Sequence, residues 1–141
     1  MAVFETDTLT VSSNGTIPHV PFLALKEKIL GKRYNLSIAF VSPRTAQALN
    51  VATRNKDYTP NTLSFPISKT SGEIILCTSA MKKEYASFGM TYDTYLLYIV
   101  IHSMLHLKGY EHGSTMEVLE KRLLSSFAHT HHEKTTTRNR H

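Results

Sequence analysis

The sequence predicts a single α+β domain, close in pattern to α/β, with one mixed sheet of about four strands and about five helices packed against it. Two patterns and a length predict this. Segments that alternate apolar and polar residues are interleaved with segments of helical spacing as far as Thr78, and helical spacing alone continues beyond it. A chain of 141 residues suits one core, and its 41% hydrophobic and 19% charged residues are those of a folded domain. The expected domain occupies residues 1–128, with residues 129–141 as a flexible polar tail that has no apolar face.

Each element has its own signal. Leu9 and Val11 alternate with Thr8, Thr10 and Ser12 in a first strand closed by Asn14-Gly15. Residues 18–30 carry Val20, Leu23, Ile29 and Leu30 at helical spacing, and Gly31 follows as a stop. Residues 34–41 alternate again, with Leu36, Ile38 and Phe40 on one face. Ser42-Pro43 then offers an N-cap and a proline at the first helical position, opening a helix that holds Ala46 and Leu49. Residues 54–61 are polar and turn-rich, a surface loop. Residues 63–67 and 73–78 read as two further strands.

Thr78 or Ser79 caps a helix that runs to Phe88, with Gly89 beyond it. Thr91 caps the next, which passes through the apolar run of residues 95–101 to about Leu107 and stops at Gly109. This apolar helix is expected at the centre of the domain. Ser114-Thr115-Met116-Glu117 has capping-box spacing, so a last helix is expected from there to about Ala128.

Several function classes are disfavoured at once. The longest apolar run is much too short to span a bilayer, so no membrane partner is expected. The start of the chain has no basic region followed by an apolar stretch, and Cys77 is the only cysteine, which excludes an internal disulfide and favours the cytoplasm. Cys77 lies in the apolar run Ile74-Ile75-Leu76-Cys77 and reads as an inert buried thiol. Lys and Arg total 16 against 11 Asp and Glu, a formal net charge of +5 with a pI near 9.4, which favours an anionic partner such as nucleic acid. The basic residues, among them Lys26, Lys28, Lys32, Arg33, Arg44 and Arg54, form no block of like charge.

Histidine is the informative residue. Three of the chain's 8 histidines fall between positions 102 and 112. His102 and His106 are one helical turn apart, so both imidazoles leave the same face and can reach one ion. Gly109 breaks the helix and lets the chain bring His112 to that ion. Neutral imidazoles at this spacing suit zinc, one Zn2+ per chain, and three ligands leave a position open for water or substrate. The spacing HxxxHxxGxxH matches zinc proteases of the metzincin type, whose general base is a glutamate after the first histidine. That position is Ser103 here, so peptide hydrolysis lacks its base. A basic chain with such a metal points to phosphoryl transfer.

Two motifs resemble those of the bacterial YbeY family of endoribonucleases. The histidine segment is similar to the family's HGxLHLxGYDH, with Leu105-His106-Leu107 and Gly109-Tyr110 matching as they stand. The segment from Leu49-Asn50 through Arg54-Asn55-Lys56-Asp57 to Leu63-Ser64-Phe65-Pro66 is similar to LNxxYRxKDxPTDVLSFP, and Gly72-Glu73-Ile74 stands where the family has GDI. The likeness spans most of residues 36–125. Ser103 replaces a glycine, Glu111 and Glu73 replace aspartates, and Pro60-Asn61 replaces Thr-Asp, which removes a charge.

The resemblance implies a zinc-dependent endoribonuclease that prefers single strands and acts in ribosomal RNA maturation and ribosome quality control. Its partners would be ribosomal RNA and, as a candidate, the small ribosomal subunit. By matching position, Arg54 and His102 would be catalytic, with His102, His106 and His112 as ligands and Arg54, Ser64 and Phe65 as substrate-binding residues. The sequence leaves two rivals: a metal-dependent hydrolase of another substrate class, and a ribosome-assembly factor that cuts nothing.

Overall fold

In the computed structural model the backbone is described for residues 1–139 and the side chains for residues 1–128. The chain folds in the order β1 (Ala2–Glu5), β2 (Leu9–Ser13), α1 (Phe22–Ile29), β3 (Asn35–Phe40), α2 (Pro43–Arg54), β4 (Thr62–Ser68), β5 (Ser71–Leu76), α3 (Thr78–Glu84), a 3-10 turn (Tyr85–Phe88), α4 (Tyr92–Lys108) and α5 (Ser114–Asn139). The expected α+β class holds, with five strands instead of four. The sheet order is β1-β2-β3-β5-β4; β2, β3 and β5 run parallel, and β1 and β4 are antiparallel edges.

Strand β1 is the one with no sequence signal. It pairs with β2 from Ala2↔Ser13 to Glu5↔Thr10, but its side chains are mostly exposed, so it has no apolar alternation to read. Three helices differ from expectation at their ends. Helix α1 starts at Phe22 because Val20 precedes Pro21, and a residue before proline is pushed out of the helical region. Helix α3 ends at Glu84 and continues only as the 3-10 turn, with Cys77 rather than Thr78 at its N-cap. Helix α5 runs on to Asn139, past the expected end at Ala128. The side chains from His129 on lie outside the described residues, and with them the expectation of a polar tail without an apolar face.

Register decides what the sheet presents to the helices. Val11, Ile38 and Ile74 are partners in a row across β2, β3 and β5, all fully buried, and Ser64 of β4 completes the row. Phe40, Leu76 and Thr62 make the next such row. The core face is therefore aliphatic in the middle and carries hydroxyls at the β4 edge. Pro66 is tolerated there because an edge strand need not use every N–H.

Helix α4 lies over this face and is buried nearly all round, through Tyr95, Leu96, Leu97, Ile99, Val100, Ile101, Met104 and Leu105. Thr91 caps it, its hydroxyl accepting from the Thr94 N–H at 3.2 Å. Lys26 is no surface charge. It is fully buried, its Nζ donating to Thr8 Oγ1 at 2.7 Å and to the Lys32 carbonyl at 2.8 Å, and burial lowers its pKa despite the opposing effect of Glu27. Cys77 is buried, as its apolar run suggests. Among the described residues no helix is long and apolar enough to cross a membrane.

Gly72 is a place where the sheet and the end of α4 approach closely. A Cβ there would collide with the Tyr34 hydroxyl and lie 3.0 Å from Leu107 Cδ2. The same Tyr34 hydroxyl is buried without a hydrogen-bond partner among the described residues. Gly72→Ala should therefore destabilise the fold by about 1–3 kcal/mol, the scale of overpacking, and Tyr34→Phe should recover part of that loss. A wild-type melting temperature for Gly72→Ala would refute the close approach.

Candidate metal centre

One face of α4 carries His102 and His106, and the chain turns immediately beyond. Gly109 ends the helix at φ 112°, a left-handed conformation that costs glycine little. The Gly109 N–H donates to the His106 carbonyl and the Tyr110 N–H to the Leu105 carbonyl, both at 3.0 Å, which closes the turn. His112 is thereby folded back. The ring centroids of the three histidines are 4.5, 4.8 and 5.1 Å apart, and one ligand nitrogen from each lies within 4.8 Å of the others.

Hydrogen bonds on the outer nitrogens set the chemistry of the inner ones. His106 Nδ1 is 3.0 Å from the Tyr110 carbonyl, which can only accept, so Nδ1 carries the proton. His102 Nδ1 is 2.6 Å from Glu120 Oε2, an acceptor of the same kind when ionised. Neutral rings so arranged aim the Nε2 lone pairs of both residues into the space between them, where the two nitrogens are only 3.1 Å apart. Two lone pairs at that distance repel each other, and a cation placed between them turns the repulsion into coordination. Burial, then the neighbouring His102 and His112 rings, lowers the His106 pKa against the pull of the Tyr110 carbonyl, which favours the neutral ligand form. This donor set fits a metal ion.

Glu120 is the functional residue that sequence reasoning misses. It is 4% exposed, on the stripe of α5 formed with Met116, Leu123, Leu124 and Phe127, and it also accepts a hydrogen bond from Tyr98. A carboxylate on an apolar stripe is itself a signal, since ionised groups are seldom buried without a partner. Burial, then Glu120, raises the pKa of the Tyr98 hydroxyl and keeps it a donor.

The other expected site residues lie along α2 and β4. Arg54 ends α2, its Nη1 donating to Asn50 Oδ1 at 3.2 Å and to the Tyr58 hydroxyl at 3.4 Å. Among the described residues no carboxylate pairs with it. Ser64 spends its hydroxyl on the Ser103 carbonyl at 3.3 Å, and Phe65 is partly exposed on the edge strand. Ser103 is fully buried, its hydroxyl bonded to the Ile99 carbonyl and to Thr62 Oγ1, each at 2.8 Å. That makes Ser103 a pin between α4 and β4, with no base beside it. The structure thus brings the three histidines together and joins α4 to β4 through Ser103, the neighbour of His102.

Asn61 bonds to side chains of α3 and α4. Its Nδ2 donates to Glu84 Oε1 at 2.7 Å, and the Tyr95 hydroxyl donates to the same oxygen at 2.8 Å. Burial, then these contacts with Glu84, raises the Tyr95 pKa strongly, so the hydroxyl stays protonated. An aspartate at position 61 would set two carboxylates against each other. The charge missing at position 61 is explained by Glu84.

Two substitutions check this geometry. Glu120→Ala frees the outer nitrogen of His102, and metal affinity in a chelator competition should fall about 10–100-fold, the usual scale for losing such a partner. Undiminished affinity would show that His102 needs no orienting group. Asn61→Asp should cost about 1–3 kcal/mol of stability and regain most of it when combined with Glu84→Gln. If the double variant is no more stable than Asn61→Asp alone, charge repulsion is the wrong account.

The chain is similar in fold and sequence to known proteins. A protein from Thermotoga maritima with a known solution structure aligns with a TM-score of 0.59 at 25% identity, covering 80% of this chain and 83% of that one. The Endoribonuclease YbeY of Stutzerimonas stutzeri is 35% identical over 107 residues, 67% of each chain. That of Pseudomonas putida is 31% identical over 120 residues, 76% of this chain and 75% of its own. Residues 7–128 match the family described as Endoribonuclease YbeY, so the chain that builds this centre belongs to the YbeY family.

Proposed function

We propose that this chain is a zinc-dependent endoribonuclease that prefers single-stranded RNA and acts in ribosomal RNA maturation and ribosome quality control. The observation that carries the reading is the convergence of His102, His106 and His112, two of them with inner nitrogens 3.1 Å apart and outer nitrogens already bonded. Three neutral imidazoles without a thiolate suit zinc at a site that keeps a position open. Zinc held there supplies a Lewis acid that stabilises charge building on a phosphate.

The chain's own residues supply the rest. His102 and His106 are held in the ligating tautomer by Glu120 and by the Tyr110 carbonyl. Among the described residues Arg54 has only neutral partners, so its charge is free to bind a phosphate through the planar guanidinium. The β4 edge, with Ser64 and Phe65, lies beside the zinc helix and can carry the substrate strand. Ser103 has its hydroxyl committed inside the fold, which disfavours peptide hydrolysis with a base at that position. Ribosomal RNA, the small ribosomal subunit as partner and a cytoplasmic location complete the proposal.

The test is cleavage of single-stranded RNA by metal-stripped protein before and after zinc is restored. Stripping should abolish cleavage and about one equivalent of zinc per chain should restore it. Arg54→Lys keeps the charge but not the fork, so single-turnover cleavage should fall about a hundredfold, the scale of losing one charge-stabilising donor, with zinc content unchanged. Cleavage that survives removal of zinc, or casein hydrolysis without RNA cleavage, would overturn the reading.

A further inference from the structure

Asn50 is fully buried in α2, and both ends of its carboxamide are used on one surface feature. Its Oδ1 accepts from Arg54 Nη1 at 3.2 Å, and its Nδ2 donates to the Tyr58 carbonyl at 3.1 Å. The same Arg54 nitrogen donates to the Tyr58 hydroxyl at 3.4 Å. The turn between them is fixed as well: Asn55 takes a left-handed conformation at φ 56°, and Gln47 Nε2 donates to Asp57 Oδ1 at 2.9 Å. Tyr58 is therefore held at its backbone and at its hydroxyl, yet it remains 50% exposed.

We infer that Tyr58 is a stacking platform for a nucleobase of the RNA strand whose phosphate Arg54 binds. The inference rests on the endoribonuclease reading and deepens it by naming a base-binding position. A guanidinium with uncompensated charge and an aromatic face beside it are the two elements that single-strand binding combines: one holds the backbone, the other stacks a base of any identity. Both are preorganised by a buried side chain, so little conformational freedom is lost on binding. Thr62 stands four positions after Tyr58, a reach of at most about 14 Å, and Thr62 touches Ser103, the neighbour of His102. A short single strand can thus meet Tyr58, Arg54 and the histidines together.

The experiment uses zinc-loaded full-length protein and a single-stranded oligoribonucleotide in which each base in turn is replaced by an abasic site. Wild-type binding, read by fluorescence anisotropy, should weaken about tenfold for an abasic site at one position near the cleaved bond, the scale of one stacked base. Tyr58→Ala should bind the intact strand about tenfold more weakly and lose the penalty at that position. Tyr58→Phe and Tyr58→Trp, which keep an aromatic face, should retain the penalty, whereas Tyr58→Leu should behave as Tyr58→Ala. A mere structural role would weaken binding without erasing the response at a single position. If wild type cleaves RNA but the abasic penalty is absent or persists in Tyr58→Ala, the stacking inference is overturned and the endoribonuclease reading stands. If wild type neither binds nor cleaves the strand, both fall together.

Discussion

A helix that must be buried nearly all round, and must still offer two imidazole nitrogens to an ion, governs the architecture of this protein. Helix α4 meets the demand by having a different kind of partner on each side. Toward β2, β3 and β5 it packs aliphatic side chains on a row of buried aliphatic residues. Toward β4 it meets hydroxyls, and toward α5 a carboxylate. These two polar contacts lie beside His102, where they fix side chains that would otherwise rotate. A hydroxyl pair and a carboxylate–imidazole pair contribute little net stability compared with the aliphatic packing. Their contribution is direction, since the carboxylate leaves His102 one orientation and the hydroxyl pair fixes α4 against β4.

Most of this plan is legible in the sequence because it depends on local periodicity. Strands β2, β3 and β5 show apolar alternation, and α4 shows a continuous apolar run with a threonine cap and a glycine stop. The histidine cluster is legible for the same reason, since His102 and His106 are one turn apart and Gly109 shows where the chain turns back. Strand β1 is illegible because it buries no side chain on a regular face and is held by backbone pairing. The shortening of α1 was available in principle from Pro21, whose effect on Val20 outweighs the apolar spacing of the segment.

The polar network around the site is harder to read, because every bond in it is long-range. Glu120 meets a ring eighteen positions earlier, Asn61 meets a carboxylate twenty-three positions later, and Thr62 meets Ser103 across forty-one. No window of sequence contains both members of such a pair. A one-residue departure from a family motif, such as Asn61, consequently looks like a loss until its partner is known. Here Glu84 supplies the missing charge, and the neutral carboxamide is the residue that this neighbour accepts.

The bond between Glu120 and His102 also ties two events that are usually considered separately. Glu120 belongs to the last helix and His102 to the central one, so an ion that fixes the His102 ring strengthens the seat of α5, and a seated α5 strengthens the grip on the ion. Thermodynamic reciprocity requires the two effects to be equal in free energy. During synthesis α4 emerges before α5, which means that the chain has all three ligands before it has the group that orients the first of them. With zinc held as proposed, full affinity would be acquired only when α5 docks on α4, and metal occupancy would then report that these two helices are seated together.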